Sequence, residues 1–154
     1  VESGFPSADS INDGLKVEDS IVKYQAGDKL SEIVKKPVTK VQLVMYAGAS
    51  GDFNPIHTDD EAARESGLSG VIAHGMLSMA FLGQLAESTF GAGSVRRLEV
   101  NFRGMVNVGD VITLRGKVIE TREDGDRTLA ICEIDAVNPS GDSVTKGTVE
   151  AWMN

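Results

Sequence analysis

Apolar residues recur along this chain with two different periods, and the change between them divides it into a helical part and a strand-like part. Thr39 to Ala47 reads as a short helix. Thr39 and Gln42 stand at capping-box spacing, and Val41, Val44 and Met45 fall on one face. Gly48 and Gly51 are expected to break it. A second helix is expected to start at Thr58, where Thr58 and Glu61 repeat the capping-box spacing. There Asp59, Asp60 and Glu61 set negative charge at the positive helix end, and Gly67 closes the segment. The third helix, from Gly75 to about Glu87, carries Met76, Leu77, Met79, Ala80, Phe81, Leu82, Leu85 and Ala86 around nearly the whole helical wheel. A helix that is apolar on all sides must be enclosed by other structure.

The remainder reads as strands. Leu98, Val100 and Phe102 alternate with Arg97, Glu99, Asn101 and Arg103, which gives one dry and one wet face. Asp110 to Thr121 is the next candidate, and Asp124-Gly125 is a tight-hairpin signal. Arg127 to Val137 and Ser143 to Met153 follow, separated by the turn N-P-S-G-D at Asn138 to Asp142. A first strand is expected at Lys29 to Val34, after a turn at Gly27 and Asp28. Helices followed by four consecutive strands with hairpin-like links predict an α+β fold with an antiparallel sheet, whose concave face would hold the apolar helix. Residues 1 to about 20 are rich in Ser, Asp, Gly and Asn without a period and read as an arm. The organisation expected is that arm and one domain over 21–154.

Composition narrows the function classes. With 154 residues the chain is one domain's worth. Its net charge of −8 opposes phosphate backbones, so nucleic acid is disfavoured as a partner, and an anionic ligand would need locally gathered basic residues. The single cysteine, Cys132, excludes an intramolecular disulfide and a four-cysteine zinc site. The first residues lack the basic start and apolar run of a signal peptide. The most apolar stretch, Val71 to Ala86, falls short of the ~20 residues a membrane span needs. These features predict a soluble, cytoplasmic chain with no membrane segment.

The candidate chemistry lies in S-G-D-F-N-P-I-H, Ser50 to His57. Asp52 and His57 can both exchange protons, and the chain between them is shaped by Asn54 and Pro55. A carboxylate and an imidazole sharing one water can polarise it and shuttle its protons. The same residue types also build ordinary turns, so spacing alone leaves both readings open. H-G-M, His74 to Met76, starts the apolar helix. A helix start offers unpaired N–H groups at a positive dipole end, and Gly75 has no side chain to hold a ligand off its N–H. That suits an oxyanion, although a glycine at this point also serves close packing. His74, flanked by apolar residues, reads as structural. Two histidines and one cysteine are too few ligands for a metal site by themselves, although carboxylates could complete one.

The segment Tyr46 to Asp59, Y-A-G-A-S-G-D-F-N-P-I-H-T-D, followed by I-A-H-G-M-L-S-M from Ile72 to Met79, resembles the MaoC-like (R)-specific enoyl-CoA hydratase family, hydratase 2. F-R-G-M-V-N-V-G-D, Phe102 to Asp110, is similar to the strand and turn after that family's central helix. The likeness covers roughly residues 24 to 152. It implies a hot-dog fold, a sheet wrapped around one long helix, and a homodimer or hot-dog heterodimer with active sites near the interface. It implies reversible syn hydration of trans-2-enoyl thioesters of coenzyme A or acyl carrier protein, with no cofactor. Asp52 and His57 match the family's catalytic pair, Asn54 its loop asparagine and Gly75 its oxyanion glycine. One position departs: Gly83 stands where some members carry serine, and the nearest hydroxyl is Ser78. Lys35, Lys36, Arg96, Arg97 and Arg103 are the candidates for the thioester's phosphates. The alternatives are the catalytic subunit of a heterodimeric acyl carrier protein dehydratase and a non-catalytic acyl-binding module.

Overall fold

Four strands and a short fifth pair antiparallel in the order Ile33–Val34, Thr113–Asp124, Arg127–Val137, Ser143–Met153, Val95–Phe102. They are β1 (Ile33–Val34), β2 (Val95–Phe102), β3 (Thr113–Asp124), β4 (Arg127–Val137) and β5 (Ser143–Met153). The helices α1 (Lys40–Ser50), α2 (Asp60–Glu65) and α3 (Gly75–Phe90) all precede β2, and a 3₁₀ turn, Pro55–His57, separates α1 from α2. These elements come from a computed structural model that describes residues 23–153; the arm expected over residues 1–20 lies outside the described residues. The α+β arrangement with an antiparallel sheet is the one the element order predicts.

The hairpins form where turn chemistry places them. Asp124 pairs with Arg127, so Gly125 and Asp126 alone close the β3–β4 connection, and Gly125 takes the positive φ of 64° that the turn requires. Between β4 and β5 the Asn138 side chain accepts hydrogen bonds from the N–H groups of Ser140 and Asp142 at 3.0 and 2.9 Å. The expected link from β2 to β3 is not a hairpin. β2 pairs with β5 at one edge, whereas β3 lies next to β1 at the other side of the sheet. The segment 103–112 makes the crossing. Its Arg103 and Gly104 N–H groups donate to the Val144 carbonyl, and its Val106 and Asp110 carbonyls accept from Ala73 and Val38. Asp110 caps a turn there by accepting from Asn107 N–H at 2.8 Å, so β3 starts at Thr113 instead of Asp110. Of the strand expected at Lys29 to Val34, only Ile33–Val34 pairs continuously, with Lys29 in an isolated bridge to Lys117.

Helix α1 begins as its sequence dictates: the Thr39 hydroxyl accepts from Gln42 N–H at 3.1 Å, and Gly51, left-handed at φ 74°, ends it. Gly48 lies within the helix and does not break it. Val41, Val44 and Met45, which share one face, are exposed, while Leu43 and Ala47 are buried. Helix α2 is capped by Asp59, not Thr58. The Asp59 carboxylate accepts from Glu61 N–H at 2.8 Å, and the 3₁₀ turn gives the Thr58 N–H to the Pro55 carbonyl, so the reciprocal bond of a Thr58–Glu61 capping box has no donor.

Helix α3 lies on the sheet. Leu77, Phe81, Leu82, Leu85, Ala86 and Phe90 are buried against Leu114, Val118, Cys132, Ile134 and Val149. Burial pushes the Cys132 thiol up to about 12, so it behaves as a small core hydrophobe. The helix is not enclosed on every side within one chain: Met76 is 54% exposed, and Ala80 and Gln84 continue that stripe. Lys35 borders it, bonding Gln84 at 2.7 Å and lying 4.7 Å above the Phe81 ring. Among the described residues, no helix is long and apolar enough to cross a membrane.

Candidate active site

Three successive side-chain-to-backbone turns coil the loop between α1 and α2. Ser50 Oγ donates to the Tyr46 carbonyl at 2.8 Å and accepts from Asp52 N–H at 3.2 Å. Asp52 Oδ1 then accepts from Asn54 N–H at 3.2 Å, and Asn54 Oδ1 accepts from Ile56 N–H at 3.3 Å. Pro55 fixes the first residue of the 3₁₀ turn. This curl brings two side chains five positions apart toward each other, and His57 Nε2 lies 4.0 Å from Asp52 Oδ2.

That distance is beyond direct hydrogen-bond range, so carboxylate oxygen and ring nitrogen each remain able to engage a third group. The orientation of the ring is fixed from behind. His57 Nδ1 lies 2.8 Å from the Ile72 carbonyl, which can only accept, so Nδ1 carries a proton and Nε2 is the nitrogen that faces Asp52. His57 is buried, whereas the Asp52 side chain is 53% exposed, so the pair has one closed wall and one open side.

The loop is held between its neighbours by Asp60. Its carboxylate pairs with Lys40 of α1 and accepts from Val71 N–H at 3.2 Å, which ties α1, α2 and the approach to α3 together. The Lys40 hydrogen bond, with help from Val71, holds the Asp60 carboxyl below the usual carboxylate range.

Gly75 is the first residue of α3, and among the described residues no side chain caps that helix start. A Cβ on Gly75 would meet the Phe102 ring at 3.2 Å, so both readings of this glycine have a physical basis: its N–H is open, and its missing side chain lets Phe102 approach. Ser78 donates to the Gly75 carbonyl at 2.6 Å and therefore accepts from Thr145 Oγ1, also at 2.6 Å. This buried chain fixes the helix start to β5 and occupies the Ser78 hydroxyl. At Gly83 itself a Cβ would find only Leu98 Cδ2, at 3.7 Å.

Sequence reasoning gave His74 a structural part, and the structure puts it in contact with the pair. It is 2% exposed, its Nε2 lies 3.0 Å from the Asp52 carbonyl, and its ring stacks on His57 with centroids 3.8 Å apart. Tyr46 packs on it at 5.0 Å. The one hint in the sequence was a histidine amid apolar neighbours directly before the helix-start glycine.

Asp52, His57 and His74 offer donor atoms within 4.8 Å of one another. They are a poor metal cradle. Nδ1 of His57 and Nε2 of His74 both face carbonyls, and the two rings lie nearly parallel, 25° apart, so their remaining in-plane lone pairs do not converge on one point.

Of the five basic candidates, three have partners. Arg96 pairs with Glu150 at 2.9 Å, Arg97 with Glu99 at 2.7 Å, and Lys35 bonds Gln84. Lys36 and Arg103 have no carboxylate partner among the described residues. A cleft of about 490 Å³ on the solvent side of β3 to β5 contains none of the site residues. Its lysines and arginines alternate with carboxylates, as in the Arg115–Asp135 pair.

The arrangement sets a proton-exchanging pair beside a helix start able to receive developing negative charge. Residues 22–133 match the family model described as MaoC like domain. The chain is 30% identical over 105 residues to a 3-hydroxybutyryl-CoA dehydratase of Methylorubrum extorquens, spanning 67% of each protein. It is 28% identical over 103 residues to an (R)-specific enoyl-CoA hydratase of Rhodospirillum rubrum, spanning 64% of this chain and 72% of that one. An (R)-hydratase from A. caviae involved in PHA biosynthesis has the same fold, with a TM-score of 0.78, 24% identity, and coverage of 86% of this chain and 99% of that one. The sheet and long helix described above thus form a hot-dog fold.

Proposed function

The chain belongs to the MaoC-like domain family of hydratases and dehydratases, and from that premise we propose that it is an (R)-specific enoyl-CoA hydratase. It would add water reversibly and syn across trans-2-enoyl thioesters, giving (R)-3-hydroxyacyl thioesters. The observation that carries this reading is the 4.0 Å gap between Asp52 Oδ2 and His57 Nε2, with the imidazole pinned by the Ile72 carbonyl. One water between them would supply both added groups. Its oxygen bonds to C3 as the C2=C3 electrons move toward the thioester carbonyl. The proton it loses passes to the Asp52–His57 pair and then to C2, on the same face, as the carbonyl re-forms. Asp52 is the principal base, and His57 holds the water and relays the proton. The Gly75 N–H meets the charge on the thioester oxygen at the positive end of α3. Asn54 acts through the loop, since its Oδ1 is engaged by Ile56 N–H.

The test is direct. Purified protein mixed with crotonyl-CoA should bleach the ultraviolet absorbance of the conjugated thioester. The product should be oxidised by an (R)-specific 3-hydroxyacyl-CoA dehydrogenase and not by an (S)-specific one. A flat trace over several chain lengths would leave an acyl-binding module as the better reading. Inactivity alone together with a co-purifying second hot-dog chain would favour the catalytic subunit of an acyl carrier protein dehydratase. A second chain of either kind has a surface available: Phe53, Met76, Phe102 and Met105 are each at least half exposed around the site.

A carrier with phosphates needs positive charge at the mouth, against a net charge of −8. Arg103 follows Phe102, whose ring covers Gly75, and has no carboxylate partner among the described residues. Arg103→Glu should raise KM for crotonyl-CoA about three- to tenfold, with kcat near the parent value and the effect shrinking as salt is added. A KM unchanged at low salt removes Arg103 from the carrier site.

A further inference from the structure

We propose that His74 is the positioning residue of this site, the piece that holds the carboxylate loop and the imidazole in one geometry. The inference rests on the hydratase reading for its catalytic consequence, but the geometry it concerns can be measured without substrate.

His74 makes three contacts at once. Its Nε2 faces the Asp52 carbonyl at 3.0 Å; a carbonyl only accepts, so Nε2–H is the donor. One ring face lies on His57, with centroids 3.8 Å apart and planes at 25°. Tyr46, from the helix that leads into the loop, packs on the ring at 5.0 Å. The residue itself is the N-cap of α3 but makes no side-chain cap there. Its donor is therefore directed away from its own helix, to a carbonyl 22 positions back in the chain.

The other ring nitrogen shows that this is not simple filling. His74 Nδ1 is buried and has no hydrogen-bond partner among the described residues. A residue needed only for volume would be better served by a phenylalanine or leucine, which would leave no buried acceptor unpaired. What the imidazole adds over those side chains is the Nε2–H bond to the backbone of Asp52. The short run from Ile72 to Gly75 thus fixes the whole site: the Ile72 carbonyl orients His57, His74 anchors Asp52 and stacks on His57, and Gly75 presents the helix start. A base displaced by an ångström costs on the order of 10²-fold in rate, so this anchor has catalytic leverage without touching substrate.

Two variants separate positioning from packing. His74→Phe keeps an aromatic face against His57 and Tyr46 and removes the donor. His74→Gln places an amide N–H near the position of Nε2 and restores it. His74→Phe should lower kcat for crotonyl-CoA by about 10- to 100-fold with KM within about twofold, and His74→Gln should recover most of that loss. Amide hydrogen exchange supplies the substrate-free readout. In His74→Phe the amides of residues 52–57 should exchange faster while those of α3 and β4 keep their parent rates, and His74→Gln should restore protection to the loop. Parent kcat in His74→Phe would overturn the proposal, as would equal impairment of both variants. So would unaltered loop exchange alongside uniformly faster exchange in α3 and β4, which would make His74 a packing residue. If the parent hydrates no enoyl thioester, the functional reading falls, and the loop exchange still decides the role of His74.

Discussion

Replacing Asp52 with asparagine should lower kcat for crotonyl-CoA hydration by about 10²- to 10⁴-fold, the usual span for a positioned acid or base, while the melting temperature stays near the parent value. The fold should tolerate the change because Asp52 sits on a loop with its side chain half exposed. An amide oxygen can still accept from Asn54 N–H as Oδ1 does. The chemistry should not tolerate it. An amide cannot take the proton that water must lose, and its NH₂ group, turned toward His57, offers a donor where the mechanism needs an acceptor. His57→Ala should cost a similar factor for a different reason: it removes Nε2, the nitrogen of the His57 ring left to hold the water once Nδ1 is engaged by Ile72. Because the two groups act on one water, their losses should not multiply. The double variant should be close to the worse single one, as for residues that work as a unit. Parent rates in both single variants, measured from the ultraviolet bleach, would end the proposal that this pair activates water. Fully multiplicative losses would mean that Asp52 and His57 serve separate steps.

What could be read from the sequence follows the range of the interactions that decide each feature. The Thr39 cap, the Asn138 turn and the Gly125 hairpin are settled within a few residues, and each lies where its local chemistry puts it. The helix start at Asp59 instead of Thr58 was lost to a competing local bond, since the Asn-Pro-Ile-His turn takes the Thr58 N–H first. Periodicity groups Val41, Val44 and Met45 on one face of α1 and spreads apolar residues around α3, but it does not say what covers either, and both carry exposed apolar residues. The place of β2 was misjudged because alternation identifies the two faces of a strand and says nothing of its neighbours, and its pairing with β5 spans nearly the whole strand region of the chain. Asp52 and His57 are brought to 4.0 Å by turns lying wholly between them, which is why their proximity was legible. The contact of His74 with Asp52 depends on how the approach to α3 crosses the loop, and spacing carries no trace of that.

Gly147→Ala should be the most damaging small substitution in the sheet, and the sequence gives no warning of it. Gly147 lies on β5, opposite Val100 of β2. A Cβ there would run into the Glu99 carbonyl oxygen and lie 2.8 Å from Val100 Cα. Both are backbone, so no rotamer change can relieve the overlap; β2 and β5 must move apart. Among the described residues β2 is an edge strand whose sole sheet partner is β5, so separation also breaks the ladder that fixes its position. The expected cost is about 3 kcal/mol or more, a fall of roughly 6–12 °C in melting temperature for a domain of this size. Activity should fall as well, because β2 ends at Phe102, whose ring packs on Gly75. The control is the same chemical change at Gly83, inside α3, where the added methyl would meet only Leu98 Cδ2 at an ordinary 3.7 Å. There alanine removes the conformational freedom that makes glycine a poor helix former, a gain of up to about 1 kcal/mol. One added methyl should therefore move thermal unfolding in opposite directions at the two sites. Equal melting temperatures would mean that β2 can yield at Gly147, and that the close approach of Glu99 to β5 does not constrain the fold.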